Sequence, residues 1–382
     1  MTTRFAPALS GKLYDILLQT WASPVFGDSY PPVENLSHES TATLISAVYQ
    51  TSVATLEWVL ARGMPELLPI QRSELVGQIA AKSVAFCGAI GGGDLDDLER
   101  LRAASVCIAL VYWCDQCMDR GDSAMRAAVR LLTDHRPTRG PIDDPLIQSR
   151  VTALGWFVHE VATLCRPEDA LWVLRTLLED TLRNEVQMLS LTDAYLARND
   201  AAFWDDHADE IAQRSIDGVG FIAVVSMIYA IYRQRDPSLP MLTEALHEPR
   251  IMRALYGAGS SAIRMFDDIG DRTIDTGDRP EWGRFTLNIV NQYNPRWMRA
   301  FLDYAGIDDP ARREQIERSL ASGDYQAIIA TFIAFNREAF GQIEPELAAT
   351  YQVFLTLARR VIEAGFVHMK GDEWLAEMTI DH

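Results

Sequence analysis

Helical periodicity without strand alternation is the feature that most restricts the fold of this chain. Apolar residues recur at steps of three and four, as at Leu95, Leu98 and Leu101, and this spacing places them on one face of a helix. Sustained apolar–polar alternation between hairpin turns, which is typical of half-buried strands, is not found. The pattern therefore predicts an all-α protein. The stretches with helical spacing are residues 94–119, 168–199, 250–276 and 310–365.

Short breaks rich in proline and glycine separate these stretches. They fall at 135–145, 236–240 and 276–283, and each has the length of a turn between helices. We find no internal repeat and no low-complexity linker, and 382 residues are enough to fill one large helical bundle. We therefore predict a single domain over 46–382, preceded by an N-terminal arm over 1–45.

The charge of the chain excludes several classes of partner. Acidic residues outnumber basic ones by 53 to 35, which gives a formal net charge of −18. Nucleic acids and anionic membrane surfaces both select for clustered basic residues, so we expect neither as a partner. The longest apolar run, 221–232, is far shorter than the roughly 20 residues that cross a bilayer, so we expect no membrane span.

The cysteines indicate a reduced, cytoplasmic protein. There are five, and their odd number and uneven spacing do not fit a disulfide framework. Cys114 and Cys117 form a lone CxxC without a second pair of ligands, so we do not expect zinc. Residues 1–11 also lack the apolar segment of a signal peptide.

Two acidic stripes on separate predicted helices point to a site for divalent metal ions. Asp115 and Asp119 lie four residues apart at the end of an apolar helix. Asp267, Asp271 and Asp275 follow one another at i, i+4 and i+8 in the second stripe. Each like-charge pair of this kind costs about 0.2–0.5 kcal/mol in an isolated helix, whereas carboxylate oxygens are good ligands of Mg²⁺. The alternative is that these carboxylates are solvated on outward helical faces, with neighbouring arginines neutralising the second stripe.

A third motif, between the two stripes, supplies a cation and a broken helix. Arg214 lies three residues before Asp217, and Gly218 follows at once. Gly218 and Gly220 are expected to interrupt the helix and free backbone groups, and the planar guanidinium of arginine suits a phosphate. Alone, this motif also fits a salt bridge at a helix end. Combined with the acidic stripes, it predicts a mouth that binds a diphosphate through metal ions and arginine.

These motifs, in this order, resemble those of the class I terpene synthases. That family has an aspartate-rich motif on one helix, then a sensor arginine, a linker aspartate and an effector glycine at a helix break, then a second metal motif. The corresponding strings here are D-Q-C-M-D at 115–119, R-S-I-D-G at 214–218 and D-D-I-G-D-R-T-I-D at 267–275. The resemblance covers about residues 105–290.

The resemblance implies a single large helical bundle of the class I isoprenoid synthase type. It implies a lyase that ionises an allylic prenyl diphosphate and cyclises it to a terpene hydrocarbon or alcohol, with release of diphosphate. A C20 substrate, linear or already bicyclic, is expected first and a C15 substrate next. The implied cofactor is a trinuclear Mg²⁺ cluster, in which Mn²⁺ could substitute, held by the five aspartates. A homodimer is expected by resemblance only.

The resemblance also implies roles for other residues. Arg214 would sense the diphosphate, Asp217 would link, and the Gly218 carbonyl would face the reacting carbon. Arg264 resembles the arginine that the family carries before the second metal motif. A carbocation needs a dry pocket of apolar and aromatic groups. The candidates for its wall, each of which also fits ordinary core packing, are Val111, Tyr112, Phe86 and Phe221.

Two other functions remain open at this point. The first is a chain-elongating prenyltransferase of the same fold, since D-D-I-G-D at 267–271 resembles that group as well. The N-terminal third, however, lacks a Gly-Lys-Arg cluster for a second diphosphate, and only an elongating enzyme would consume isopentenyl diphosphate. The second is a non-catalytic helical scaffold derived from the same fold. It is favoured by Gln116 in the first motif and by the lack of a C-terminal Arg-Tyr pair.

Overall fold

Helices make up most of the described structure. The structure, a computed structural model, describes residues 38–73, 75–77, 79–80, 83, 98–119, 121–133, 142–198, 201–273, 285–362 and 365. Of these residues 84% are helical and none lies in a strand, which confirms the all-α prediction. The first helix runs without interruption across residue 45, where we expected the arm to meet the domain. Most of that arm, residues 1–37, lies outside the described residues.

Where they are described, the four stretches that the sequence predicts are largely helical, but they contain two π-helical segments that it does not predict, and several further helices lie outside them. The helical segments 69–73 and 75–77 are not given labels. The other helices are numbered in chain order. The helices are α1 (His38–Gly63), α2 (Leu98–Asp119), α3 (Ser123–Thr133), α4 (Pro145–Leu164), α5 (Pro167–Arg175), α6 (Arg183–Arg198), α7 (Ala201–Asp217), α8 (Phe221–Arg235), α9 (Leu242–His247), α10 (Pro249–Met252), α11 (Ser261–Gly270), α12 (Pro295–Tyr304), α13 (Pro310–Ser322), α14 (Tyr325–Gly341), α15 (Pro345–Thr350) and α16 (352–362). The π-helical segments are Thr176–Leu182, between α5 and α6, and Arg253–Ser260, between α10 and α11.

Local sequence signals set several of the helix ends. Gly121 takes a φ of +80° and its N–H donates to the Met118 carbonyl at 2.9 Å, so it ends α2. The side chain of Asp144 accepts from the Leu146 N–H at 2.8 Å, and Pro145 occupies the first position of α4. A side-chain acceptor at this position satisfies amide groups that have no partner within the helix.

Helix α8 lies at the centre of the larger hydrophobic core. Every residue from 221 to 231 is buried, and α8 packs against α2, α5 and both π-helical segments. By length and composition, 202–235 would be long and apolar enough to cross a membrane. However, 78% of its most apolar window is buried inside the protein, and the helix is interrupted at 218–220. These observations agree with the expectation of no membrane span.

The CxxC pair belongs to a second hydrophobic core, around α2. Cys114 and Cys117 are both buried thiols, and neither forms a disulfide within the described part of the chain. The Cys117 thiol lies 3.7 Å from the Met64 sulfur, which also accepts the Trp113 indole N–H at 3.3 Å. Burial raises the pKa of the Cys114 thiol well above its usual value, so this thiol remains protonated. Both cysteines therefore contribute to the packing of this second core.

A buried ion pair fastens α5 to the end of α8. Arg233 pairs with Asp169, and both side chains are almost fully buried. Asp169 also accepts the Leu242 N–H at 3.2 Å, and the Arg233 Nε–H donates to the Leu239 carbonyl at 3.1 Å. The pair therefore connects two helices and the segment that leads into α9.

We predict that Asp169→Ala lowers the free energy of unfolding by about 3–5 kcal/mol, because it leaves the Arg233 charge buried without a partner. Urea unfolding of both proteins measures the difference. The control is Asp206→Ala, which removes an exposed carboxylate that lies 3.1 Å from Arg198 and should change the free energy by less than about 1 kcal/mol. Equal losses in the two variants would contradict the prediction.

Candidate functional site

One cavity collects residues from all three of the motifs that the sequence analysis singled out. Its volume is about 140 Å³, and it lies between α2, α6, the junction of α7 with α8, and α11. The motif residues come from distant parts of the chain, and the sequence alone shows no contacts between them. Those that line the cavity are Asp115, Arg214, Gly218, Arg264 and Asp267.

The inner wall of this cavity is apolar. Three of the four wall residues that we predicted line it, namely Val111, Tyr112 and Phe221. The fourth, Phe86, lies outside the described residues. Further apolar side chains that the sequence analysis did not single out are Ile108, Met188, Val219, Val224, Ile263 and Val361.

The predicted helix break lies at the edge of the cavity. Helix α7 ends just before Gly218, and α8 begins at Phe221. Gly220 has a φ of +77°, a conformation that residues with a Cβ rarely adopt. A Cβ on Gly218 would lie only 2.8 Å from the Arg214 carbonyl oxygen, so this position also requires glycine.

The break exposes the N-terminus of α8 to the cavity. Gly220 is the N-cap of α8 and supplies no side-chain acceptor, so it leaves the first N–H groups of the helix to other partners. Gly220 and Phe221 both line the cavity. The helix dipole therefore adds partial positive charge at this end of the cavity, where an anion would be stabilised.

Arg214 is held beside the break by neighbours on α6 and α7. Its Nη1–H donates to Asn184 Oδ1 at 2.9 Å, and its Nε lies 3.8 Å from Glu210 Oε1. The side chain is 28% exposed. The guanidinium is thus anchored at one edge while the side chain lines the cavity.

Asp217 does not line the cavity and faces α12. The Tyr304 hydroxyl lies 2.9 Å from both of its carboxylate oxygens and donates to them. Among the described residues, no ion pair joins Asp217 to Arg214. The observed contacts of Asp217 therefore anchor α7 to α12, and its role as the linker that the resemblance implies stays a prediction.

The structure brings two of the five predicted metal ligands to the same cavity. Asp115 on α2 and Asp267 on α11 both line it, whereas Asp271 begins the 3₁₀ turn after α11 and does not. The side chain of Asp119 and the whole of Asp275 lie outside the described residues. Within the described part of the chain, no group of three or more histidine, cysteine or carboxylate side chains is placed to hold a metal ion. Mg²⁺ is usually held by one or two carboxylates together with substrate phosphates, and two carboxylates that line one cavity are of that number and kind.

Arg264 connects the second acidic stripe to the loop that precedes α12. Its Nη1 lies 3.3 Å from Asp267 Oδ2, and its Nη2 donates to Asp268 Oδ1. Asp268 is 1% exposed and also accepts the Ile289 N–H at 3.0 Å, while the Asn288 amide donates to its carbonyl at 2.8 Å. Asp268 is therefore a structural carboxylate, and Arg264 neutralises part of the stripe, as the alternative reading anticipated.

Two neighbouring residues of α6 near the cavity were missed by the sequence analysis. Glu185 lines the cavity, and Asn184 contacts Arg214. Both lie inside a stretch whose helical periodicity continues without a break, so no local signal marks them. Both are brought to the site because α6 packs against the end of α7.

Comparison with protein-family models, curated proteins and solved structures found no match. The resemblance to the class I terpene synthases therefore depends on the motif residues themselves. The positions of those residues in the fold bear on this resemblance independently of the sequence motifs.

We predict that Asp217→Asn stabilises the protein increasingly as the pH rises from 4 to 7. Burial raises the pKa of Asp217 above its ordinary value of 3.8, so the folded state keeps the proton to higher pH than the unfolded chain. The free energy of unfolding therefore falls as the pH rises from 3.8 through the folded-state pKa. The asparagine of the Asp217→Asn variant does not titrate, so this fall in the free energy of unfolding is absent there. Urea unfolding of both proteins at several pH values measures the two free energies.

Asp236→Asn is a control for which we expect the opposite dependence of stability on pH. The Ser238 hydroxyl and backbone N–H hold the pKa of exposed Asp236 below its ordinary value. Its contribution to stability is thus present above pH 3.8 and is lost as the pH falls. Asp236→Asn should therefore be increasingly destabilising as the pH rises. The same trend in both variants would contradict the burial of Asp217.

Proposed function

We propose that the chain is a Mg²⁺-dependent class I terpene synthase, which ionises an allylic prenyl diphosphate and cyclises the resulting cation. The observation that carries the proposal is that Asp115, Arg214 and Asp267 line one cavity at a helix break. They come from three separate sequence motifs, whose combination predicts a mouth that binds a diphosphate. The finer fold assignment, a helical bundle of the class I isoprenoid synthase type, is part of this proposal.

The polar end of the cavity would bind the diphosphate group. Asp115 and Asp267 would hold Mg²⁺, which supplies Lewis-acid stabilisation of the charge that develops on the leaving diphosphate. Arg214 would donate charge-assisted hydrogen bonds to the diphosphate oxygens. The first N–H groups of α8 would add partial positive charge on the same side.

The apolar end would hold the hydrocarbon chain and exclude water from the cation. The rings of Tyr112 and Phe221 would favour positive charge over their faces. Small-molecule sites usually measure about 300–1,000 Å³, whereas this cavity measures about 140 Å³. We therefore propose that it widens when a C20 or C15 substrate enters.

The test is the turnover of C10, C15 and C20 allylic diphosphates and of copalyl diphosphate, each with and without Mg²⁺. Extracted products are identified by mass spectrometry, and one set of reactions contains isopentenyl diphosphate. A cyclic product that requires Mg²⁺ would support the proposal. Consumption of isopentenyl diphosphate would instead favour the elongating prenyltransferase. No product, together with no Mg²⁺-dependent binding of inorganic diphosphate, would favour the scaffold.

We predict that Arg214→Gln lowers kcat by about 10²–10³-fold, because it removes a charged donor from the developing negative charge. Arg296→Gln is the control, since Arg296 forms an exposed ion pair with Asp205 on α7, away from the cavity. Steady-state kinetics measures both variants, and circular dichroism checks that each is folded. Near-normal turnover by Arg214→Gln would contradict the assigned role of this arginine.

A further inference from the structure

We infer that Asn184 is a positioning residue, which directs the Arg214 guanidinium at the cavity without cancelling its charge. The inference rests on the proposed function, since it concerns how the same site binds a diphosphate. Asn184 belongs to none of the motifs in the sequence, and its side chain is not part of the cavity lining.

The Asn184 amide is fixed at both ends. The residue is 5% exposed and occupies the second position of α6, directly after the π-helical segment 176–182. Its Nδ2 donates to the Asp180 carbonyl of that segment at 2.5 Å, and its Oδ1 accepts from Arg214 Nη1 at 2.9 Å. Since rotation of the amide would break both hydrogen bonds, its acceptor is held towards the arginine.

The same side chain also contacts the helix break. A Cβ on Gly218 would lie 3.2 Å from Asn184 Cβ, so the two residues are in close contact. Asn184 therefore touches both the arginine and the glycine at which α7 ends. The Asn184 side chain therefore holds the Arg214 guanidinium in a fixed position relative to the exposed N-terminus of α8.

The neutral amide adds no negative charge beside Arg214. Among the described residues, the carboxylate that forms an ion pair with Arg214 is Glu210, at 3.8 Å and 46% exposed, and Asp217 interacts with the guanidinium electrostatically without forming an ion pair. The Glu210 distance is longer than a hydrogen bond, and the buried Arg214 Nε has no hydrogen-bond partner in the described part of the chain. A carboxylate at position 184 would form a buried ion pair with the guanidinium and compete with an anion in the cavity.

Asn336 on α14 provides a matched control. It is 6% exposed, and its Nδ2 donates to the carbonyl four residues earlier, Phe332, at 2.9 Å, as Asn184 does to Asp180. Its Oδ1, however, has no hydrogen-bond partner among the residues that the structure describes. The two asparagines thus share a helical setting and differ in the presence of an arginine.

The first experiment needs no ligand and tests the contact itself. Asn184→Asp and Asn336→Asp each place a carboxylate in a buried site, but only the first carboxylate meets a guanidinium. We expect the urea midpoint at pH 7 to fall less for Asn184→Asp than for Asn336→Asp, because a buried charge is tolerated when it is paired. An equal or larger fall for Asn184→Asp would overturn the inference.

The second experiment is a double-mutant cycle on the binding of inorganic diphosphate in the presence of Mg²⁺, measured by calorimetry. Asn184→Leu should weaken binding by about tenfold in the wild-type background and by less than about twofold in the Arg214→Gln background, since it acts through the arginine. Asn184→Asp should also weaken binding by about tenfold through charge cancellation. Asn336→Leu should leave the affinity unchanged.

The outcomes separate this inference from the proposed function. If the wild-type protein binds diphosphate but Asn184→Leu weakens binding equally in both backgrounds, the inference is overturned and the proposed function stands. Wild-type affinity in Asn184→Asp would overturn it in the same way. If the wild-type protein does not bind diphosphate with Mg²⁺, the proposed function fails and the inference fails with it.

Discussion

The break between α7 and α8 is the constraint on which the rest of the site depends. Because α8 is buried on all sides in the main core, its position is set by packing, and α7 must end where the cavity begins. The left-handed φ of Gly220 and the lack of space for a Cβ on Gly218 make this ending specific. The break brings an arginine at the end of one helix beside the positive end of the next.

The aspartates of this acidic chain divide into structural and candidate functional groups, and the division follows whether they line the cavity. Asp268 is buried against Arg264 and a backbone N–H, and Asp217 accepts from Tyr304. Asp122, three residues after the first motif, caps α3 and pairs with Arg150. Asp115 and Asp267 instead line the cavity. Spacing alone does not distinguish the two groups, because both kinds recur at helical intervals.

Some of the helices and the break at 218–220 could be predicted from the sequence, because each depends on local patterns, and the convergence of the three motifs was predicted from their combination. Periodicity identifies helices, two glycines identify the break, and like charges at i and i+4 identify carboxylates that gain from a cation. The contacts of Asn184 with Arg214 and of Asp217 with Tyr304 could not be predicted. They depend on how α6 and α12 pack against α7, which no local pattern encodes. The π-helical turn before Asn184 was also not predicted, since it leaves the helical periodicity of its stretch intact.

The central claim is that Asp115 and Asp267 hold a divalent metal ion together with a diphosphate at the helix break. The most direct measurement is an anomalous X-ray difference map from crystals grown with Mn²⁺ and inorganic diphosphate. We expect an anomalous peak within coordination distance of Asp115 or Asp267, with diphosphate density between this peak and Arg214. Mn²⁺ and diphosphate bound elsewhere, with the cavity containing neither at saturating concentrations of both, would contradict the account.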